Sequence, residues 1–517
     1  MTTRMKIYRD LYKDSVSLMQ LSAGFAQRDG VERASIVMAT ETNLRQLEDA
    51  GFDPVDGATP NDLIVALIAD DTVIDDLFEQ ADSALKARPA ANGGDGPQPL
   101  PPSSFEMAIE GQPDANMAVV SVPGPFAAAE AIKALRLGLN VMLFSDNVPP
   151  AQELEVKKLA RERGLLVMGP DCGTAIINGV PLGFANVVNR GKIGIVAASG
   201  TGLQEVSCRI SNAGAGISQA IGTGGHDLAA EIGGLSMLTG IEMLIADPQT
   251  EVIVLVSKPP SAEVAKGILG AACAGGKPVV VHFLGADAAE LKGHNVIVAE
   301  SLAEAGEKAV AVLRGDAPEP LCLDDLPQAA MRAAERLVPQ AQYLRGVFCG
   351  GTFCAESQLF ALRAGLKVHS NVPVRGAEAL NDIWISEGHS IVDLGDDDFT
   401  RGRAHPMIDP TLRDERIVSD GTDPLTGVIQ FDVVLGYGAS MEPIEGLLEA
   451  LRRVKEARSA PPVFVAHVCG TDLDPQSRHE ITAQLQAEGV IAATSNAQAS
   501  VWASAIAVQC QTAMASA

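Results

Sequence analysis

The 517-residue chain carries a formal net charge of -26, with 47% hydrophobic and only 4% aromatic residues. A chain this acidic lacks the basic surface that a nucleic-acid backbone or an anionic membrane demands, so neither is expected as a partner. Its length calls for three or four domains, and cores of Ala, Val, Ile and Leu suit buried parallel strands covered by helices.

Residues 1–88 read as a small N-terminal α/β module. Strands are expected at 6–12, 34–40 and 62–69, with helices from Asp14 or Ser15, from Glu41, and over 71–86. The opening MTTRMKIYRDLYKDS offers no apolar run for a signal peptide, and no stretch approaches the ~20 apolar residues of a membrane span. A cytoplasmic location is therefore expected. Residues 89–104, rich in Pro, Gly and Ser, read as a linker.

Beyond the linker, short apolar strands alternate with amphipathic helices. Strands at 117–123, 140–146 and 164–170 mark a domain over 105–188. Strands at 192–200, 251–259, 277–285 and 296–301 mark a second over 189–320. Strands at 345–351, 431–438 and 461–470 mark a third over 321–517. This alternation requires parallel sheets with right-handed crossovers. Ligands of such sheets sit beyond the carboxyl ends of the strands, so chemistry is sought in the glycine turns there.

Ser199-Gly200-Thr201-Gly202 follows an apolar strand and opens a helix. Small residues admit a ligand close to the backbone, and the free N–H groups favour an anion. The same residues also make an ordinary capped turn. Gly222-Thr223-Gly224-Gly225-His226-Asp227 reads as a backbone nest with a proton carrier or polar clamp, or else as a solvated loop. Asp171 and Cys172 end a strand at a glycine turn, where Cys172 is a binding-site wall or buried thiol before it is a nucleophile. In the run 394–406, Arg401 and Arg403 could grip a carboxylate or phosphate, His405 could carry a proton, and Asp396–Asp398 could hold Mg²⁺ through water. A charged exposed loop is the plain alternative. Gly436, Gly438 and Ala439, and Gly470 with Thr471, follow strands and could complete a pocket.

Other signals fail. Residues 270–277 mimic a P-loop but have one residue too many and Pro278 where Ser or Thr is needed. The eight cysteines are scattered and read as reduced thiols, and Cys349-x4-Cys354 lacks a partner pair, so no metal site is expected.

The runs VSVPGPFAAAEAI, MGPDCGTAI, GKIGIVAASGT, IGTGGHD and ADPQTEVIVLV resemble the α subunit of succinyl-CoA synthetase. SIVDLGDDD and DVVLGYG resemble the carboxy-terminal ligase domain of its β subunit. This order, with an extra N-terminal module and no ATP-grasp domain, is similar to the FdrA family over nearly the whole chain. The resemblance implies a CoA-binding-like Rossmann domain over 105–188 and two flavodoxin-like ligase domains over 189–320 and 321–517. It implies phosphate-facing helix starts at Ser199–Gly202 and Gly436–Ser440. The family's phosphohistidine loop is much shorter here, at 285–301, where His294 reads as a surface residue. What the resemblance implies is a subunit of an oxamate carbamoyltransferase, handling a small anionic substrate and phosphate. No cofactor is then obligatory, CoA or Mg²⁺ remains possible, and YlbE-like partner subunits or a homo-oligomer are expected. An acyl-CoA synthetase is the alternative enzyme, and a non-catalytic scaffold or regulatory subunit the third reading.

Overall fold

A computed structural model of the chain describes all residues except 12, 14, 27, 29, 56, 87–101, 287–290, 292–294, 339, 402 and 516–517. Asp14, His294 and most of the expected linker lie outside the described residues. The chain forms two compact units: Met1–Pro101 with Gly395–Asp409, and Pro102–Leu394 with Pro410–Ala517.

The first unit is built on a three-stranded sheet in the order Thr2–Tyr8, Leu63–Ala69, Val31–Met38, with the middle strand antiparallel to both neighbours. The middle strand reads LIVALIA because both its faces are buried. Leu63, Val65 and Leu67 pack with Leu77 and Phe78 of the helix Ile74–Lys86, while Ile64 and Ala66 pack with Leu47 and Phe52. The first strand begins and ends earlier than the apolar reading placed it, because residues 2–8 are the ones that pair with 63–69.

The second unit holds three parallel-sheet domains, as expected of a doubly wound α/β chain. Met117–Val120, Asn140–Leu143 and Val167–Met168 form a small Rossmann-like sheet. A seven-stranded sheet follows in the order Ile297–Val298, Val279–Phe283, Val252–Ser257, Arg190–Ala198, Ile217–Gly222, Thr174–Ile177, Val180–Gly183. Its last two strands are an antiparallel hairpin, and they tie residues 174–183 to this middle sheet rather than to the sheet before it. The third sheet runs Glu378–Ala379, Val368–Ser370, His389–Asp393, Tyr343–Phe348, Thr426–Val434, Val463–Cys469, Ile491–Ala493, all parallel. Among the described residues no helix is long and apolar enough to cross a membrane.

In the middle sheet the strand Arg190–Ala198 comes first among the parallel strands. The chain then adds Ile217–Gly222 on one side of it and Val252–Ser257 on the other. The third sheet treats Tyr343–Phe348 similarly, with Thr426–Val434 on one side and His389–Asp393 and Val368–Ser370 on the other. Each is a point where strand order reverses, which is where open α/β sheets leave a crevice for ligands.

Candidate functional site

Both first strands end in a helix start. After Arg190–Ala198, Ser199 caps the helix Gly200–Asn212, its Oγ accepting from Gly202 N at 2.9 Å. Gly202 is required there, since a Cβ would lie 2.4 Å from Ser199 Oγ. The first intrahelical bond runs from Leu203 N to Ser199 O. Ahead of it, the N–H groups of Gly200 and Thr201 have no acceptor among the described residues, and Gly200 is exposed. This end of the helix combines free donors with the positive end of the dipole.

After Tyr343–Phe348 comes Cys349-Gly350-Gly351-Thr352, opening the helix Gly351–Arg363. The two helix starts meet. Ser199 Oγ and Thr352 Oγ1 share a hydrogen bond of 2.6 Å, and a Cβ on Gly350 would lie 2.9 Å from Thr201 Cγ2. The second start already faces two carboxylates. Asp432, fully buried, accepts from Cys349 N at 2.7 Å and Gly350 N at 2.8 Å. Burial outweighs these bonds and raises its carboxyl above the usual range. Asp393 ends its strand beside Gly351, where a Cβ would come within 2.5 Å of Oδ2. An incoming anion therefore finds its open donors at Gly200 and Thr201, with the Thr352 hydroxyl opposite.

Sequence reasoning found the first start and missed the second. The signal was present: Gly-Thr-x-x-x-Glu occurs at 200–205 and again at 351–356, each opening a 13-residue helix. The two glutamates lie one turn behind the starts. Glu356 accepts from Leu302 N at 3.0 Å and Asn496 Nδ2 at 2.9 Å, and burial pushes its carboxyl up to about 7.

The structure brings the other middle-sheet turns to the same place. A Cβ on Gly200 would stand 3.6 Å from Thr174 Oγ1, and one on Gly222 would stand 2.7 Å from Cys172 Sγ. Gly224, at φ +83°, packs on the Gly169–Pro170 turn, and Gly225 lies beside the Asp171 carboxylate. Asp171, Gly225 and His226 are exposed on this rim. Cys172 is not. Its thiol is buried, hydrogen-bonded to Thr174 O and Gly222 O at 3.5 Å each, and pushed up to about 12 by burial, so it is a buried thiol and not a thiolate.

Asp227 turns inward, away from His226. It is fully buried, pairs with Lys157 at 2.8 Å, and accepts from Ser236 N and Met237 N at the start of the helix Leu235–Ala246. That position holds the loop and offers no proton to a substrate. The turn at 436–439 also differs from expectation. No helix starts there, the next one being Glu445–Ala457. Gly436, at φ +115°, and Gly438, at φ +80°, instead let the turn press on residues 184–186, and Tyr437 N donates to Ala185 O at 2.9 Å. Gly470 and Thr471 serve the same junction: Asn212 Nδ2 donates to Gly470 O at 3.1 Å, and the Thr471 hydroxyl donates to Val187 O at 2.6 Å. These residues join the two sheets and have few polar groups left for a ligand.

Arg401, Arg403 and His405 fall in the first unit, grouped with the N-terminal module and not with the helix starts. Arg401 and Arg403 are exposed, the former 3.8 Å from Asp398, whereas burial lowers His405 to about 4. The spacing of residues 394–406 held no signal for that grouping.

Comparison with known proteins agrees with the α/β fold. Residues 347–506 match a family model described as CoA-ligase, residues 188–285 one described as CoA binding domain, and residues 1–99 one described as AllF, heavy metal-associated domain. The second of these falls on the middle sheet and not on the sheet of residues 117–168. Together they mark CoA-binding and CoA-ligase domains in the chain. The chain is 44% identical over 504 residues to the uncharacterized protein YahF of Escherichia coli (strain K12), covering 96% of this chain and 97% of that protein, and it belongs to that family. It is 34% identical over 183 residues to the succinate–CoA ligase [ADP-forming] subunit alpha-2 of Trichomonas vaginalis, spanning 34% of this chain and 58% of that subunit. Among solved structures, the apo dinucleotide-forming acetyl-coenzyme A synthetase 1 of Ca. Korarchaeum cryptofilum aligns over 78% of this chain and 85% of that one, at 14% identity and a TM-score of 0.33.

Proposed function

We propose that the chain makes or consumes an acyl phosphate at the helix starts of Ser199–Gly202 and Gly351–Thr352. The observation that carries this is the meeting of two helix N-termini through the Ser199–Thr352 hydrogen bond, with the Gly200 and Thr201 N–H groups left open beside it. Two positive dipole ends and uncommitted donors suit a phosphoryl group. His226, exposed on the rim, serves as the proton carrier.

The acid–thiol ligase reading fits the CoA-ligase and CoA-binding matches best. The thiol sulfur of CoA attacks the acyl carbon, the carbon–oxygen bond to phosphate breaks, and phosphate leaves. A carbamoyl-transfer reading, as in an FdrA-type oxamate carbamoyltransferase working with YlbE-like partners, rests on the same site, because carbamoyl phosphate is also an acyl phosphate.

Phosphate release by the purified chain tests both readings, with acetyl phosphate plus CoA in one arm and carbamoyl phosphate plus oxamate in the other. Turnover in the first arm supports the ligase and in the second the carbamoyltransferase. Failure of both, together with failure of either acyl phosphate to bind, overturns the proposal.

A further inference from the structure

Behind the helix starts lies a cluster the proposed reaction does not use. Glu205 and Cys208 stand one turn apart on the helix Gly200–Asn212, and His467 and Cys469 alternate on the strand Val463–Cys469, so each pair shares a face. The faces meet. Glu205 Oε2 lies 2.7 Å from His467 Nε2, and one ligand atom each from Glu205, His467 and Cys469 all fall within 4.8 Å of one another. The Cys208 thiol lies close enough to Cys469 for the two to influence each other electrostatically. All four side chains are buried.

We propose that Glu205, His467 and Cys469, with Cys208 as a fourth donor, form a buried transition-metal site that staples the middle sheet to the third. One observation points to a missing ligand. Glu205 Oε1 is buried without a hydrogen-bond partner, beside the atom that meets His467. Such an orphan is rare in folded proteins and marks a cluster that its own members do not satisfy.

The donor set of one carboxylate, one imidazole and two sulfurs is that of a closed tetrahedral site, which suits Zn²⁺. With Zn–N near 2.0–2.1 Å and Zn–S near 2.3 Å, ligand atoms stand about 3.4–3.8 Å apart. The Glu205–His467 contact must open by about 1 Å to reach that spacing, and Cys208, which lies outside the group of three ligand atoms, must swing inward, both by rotamer adjustment. Binding displaces the proton held between Glu205 and His467 and the two thiol protons. The divalent ion then faces one carboxylate and two thiolates, a net charge of one minus, and the neighbouring Arg209 and Arg478 charges that already act on Glu205 oppose it. Full burial means the metal enters as the chain folds, so its binding energy becomes folding energy.

Zinc and cobalt serve as probes on the full chain. Chain expressed with Zn²⁺ and dialysed against metal-free buffer is expected to hold about one equivalent, and chain refolded with Co²⁺ to show thiolate-to-cobalt charge transfer with intense tetrahedral d–d absorption. Cys469→Ser and Glu205→Gln are each expected to lower retained zinc at least about tenfold. The cobalt spectrum of the unaltered chain needs no variant to fold. Absence of both retained zinc and the thiolate–cobalt band overturns the proposal, as does a band that survives in Cys208→Ser/Cys469→Ser.

Discussion

Replacing Lys157 with Met is expected to cost the chain about 3–5 kcal/mol of stability, measured as a fall in the urea midpoint at unchanged m-value. Lys157 is 2% exposed, and its ammonium uses all three donors: Glu153 Oε1 at 2.7 Å, Asp227 Oδ1 at 2.8 Å and Thr223 O at 3.2 Å. Methionine keeps the volume and the apolar stem but leaves two buried carboxylates without their cation. The loss lies in those uncompensated charges more than in the ion pair itself. Lys157→Met/Glu153→Met should recover part of it, because Asp227 keeps its two N–H donors from the helix Leu235–Ala246. The triad ties the helix Pro150–Glu162 to the loop carrying Gly224 and Gly225, so the single variant should also loosen the rim of the candidate site. A cost below about 1 kcal/mol would show that the interior rehydrates around the pair.

Gly224→Ala should be nearly as damaging, at about 2–5 kcal/mol. Gly224 sits at φ +83°, which costs an L-residue about 1–2 kcal/mol by itself. The added Cβ would also lie 2.0 Å from Pro170 O and 3.1 Å from Gly169 Cα, and backbone cannot retreat as a flexible side chain does. Either the 169–171 turn or the 222–225 turn must move. Both border the helix start at Ser199, so phosphate affinity should fall with stability. Gly225→Ala is the control: its Cβ would meet only Asp171 Oδ2, at 3.7 Å, and thermal denaturation should barely change.

The central strands were legible because both faces are buried and their sequences, such as VIVLV and VVVHF, run apolar without interruption. Ile217–Gly222 and His389–Asp393 escaped notice because ISQAIG and HSIVD carry polar residues whose partners come from other elements, as Ser218 finds Thr250. The helix start at Ser199 was legible from its cap and glycines. Its counterpart at Gly350 was not, because a glycine at the cap position supplies no side-chain oxygen to mark the helix start. The roles of Asp227, Gly436 and Thr471 were unreadable for a different reason. Each depends on partners far along the chain: Lys157 for Asp227, Ala185 for the turn at Gly436, and Val187 for Thr471. A turn that looks open in sequence is closed when such a partner fills it.

Two helices of equal length, each leaving the first strand of a parallel sheet, converge so that one leaves the Gly200 and Thr201 N–H groups without an acceptor while the other is braced by Asp432. Isothermal titration of acetyl phosphate and inorganic phosphate into the chain and into Gly200→Asp tests this account most directly. A Cβ at position 200 would meet only Thr174 Oγ1, at 3.6 Å, and an acidic residue in a first turn suits the dipole, so stability should stay within about 1 kcal/mol. A carboxylate within ~5 Å of a phosphoryl dianion costs about 3 kcal/mol per unit charge at an effective dielectric near 20, so affinity should fall at least about 100-fold. Equal affinity in the two proteins would contradict the account.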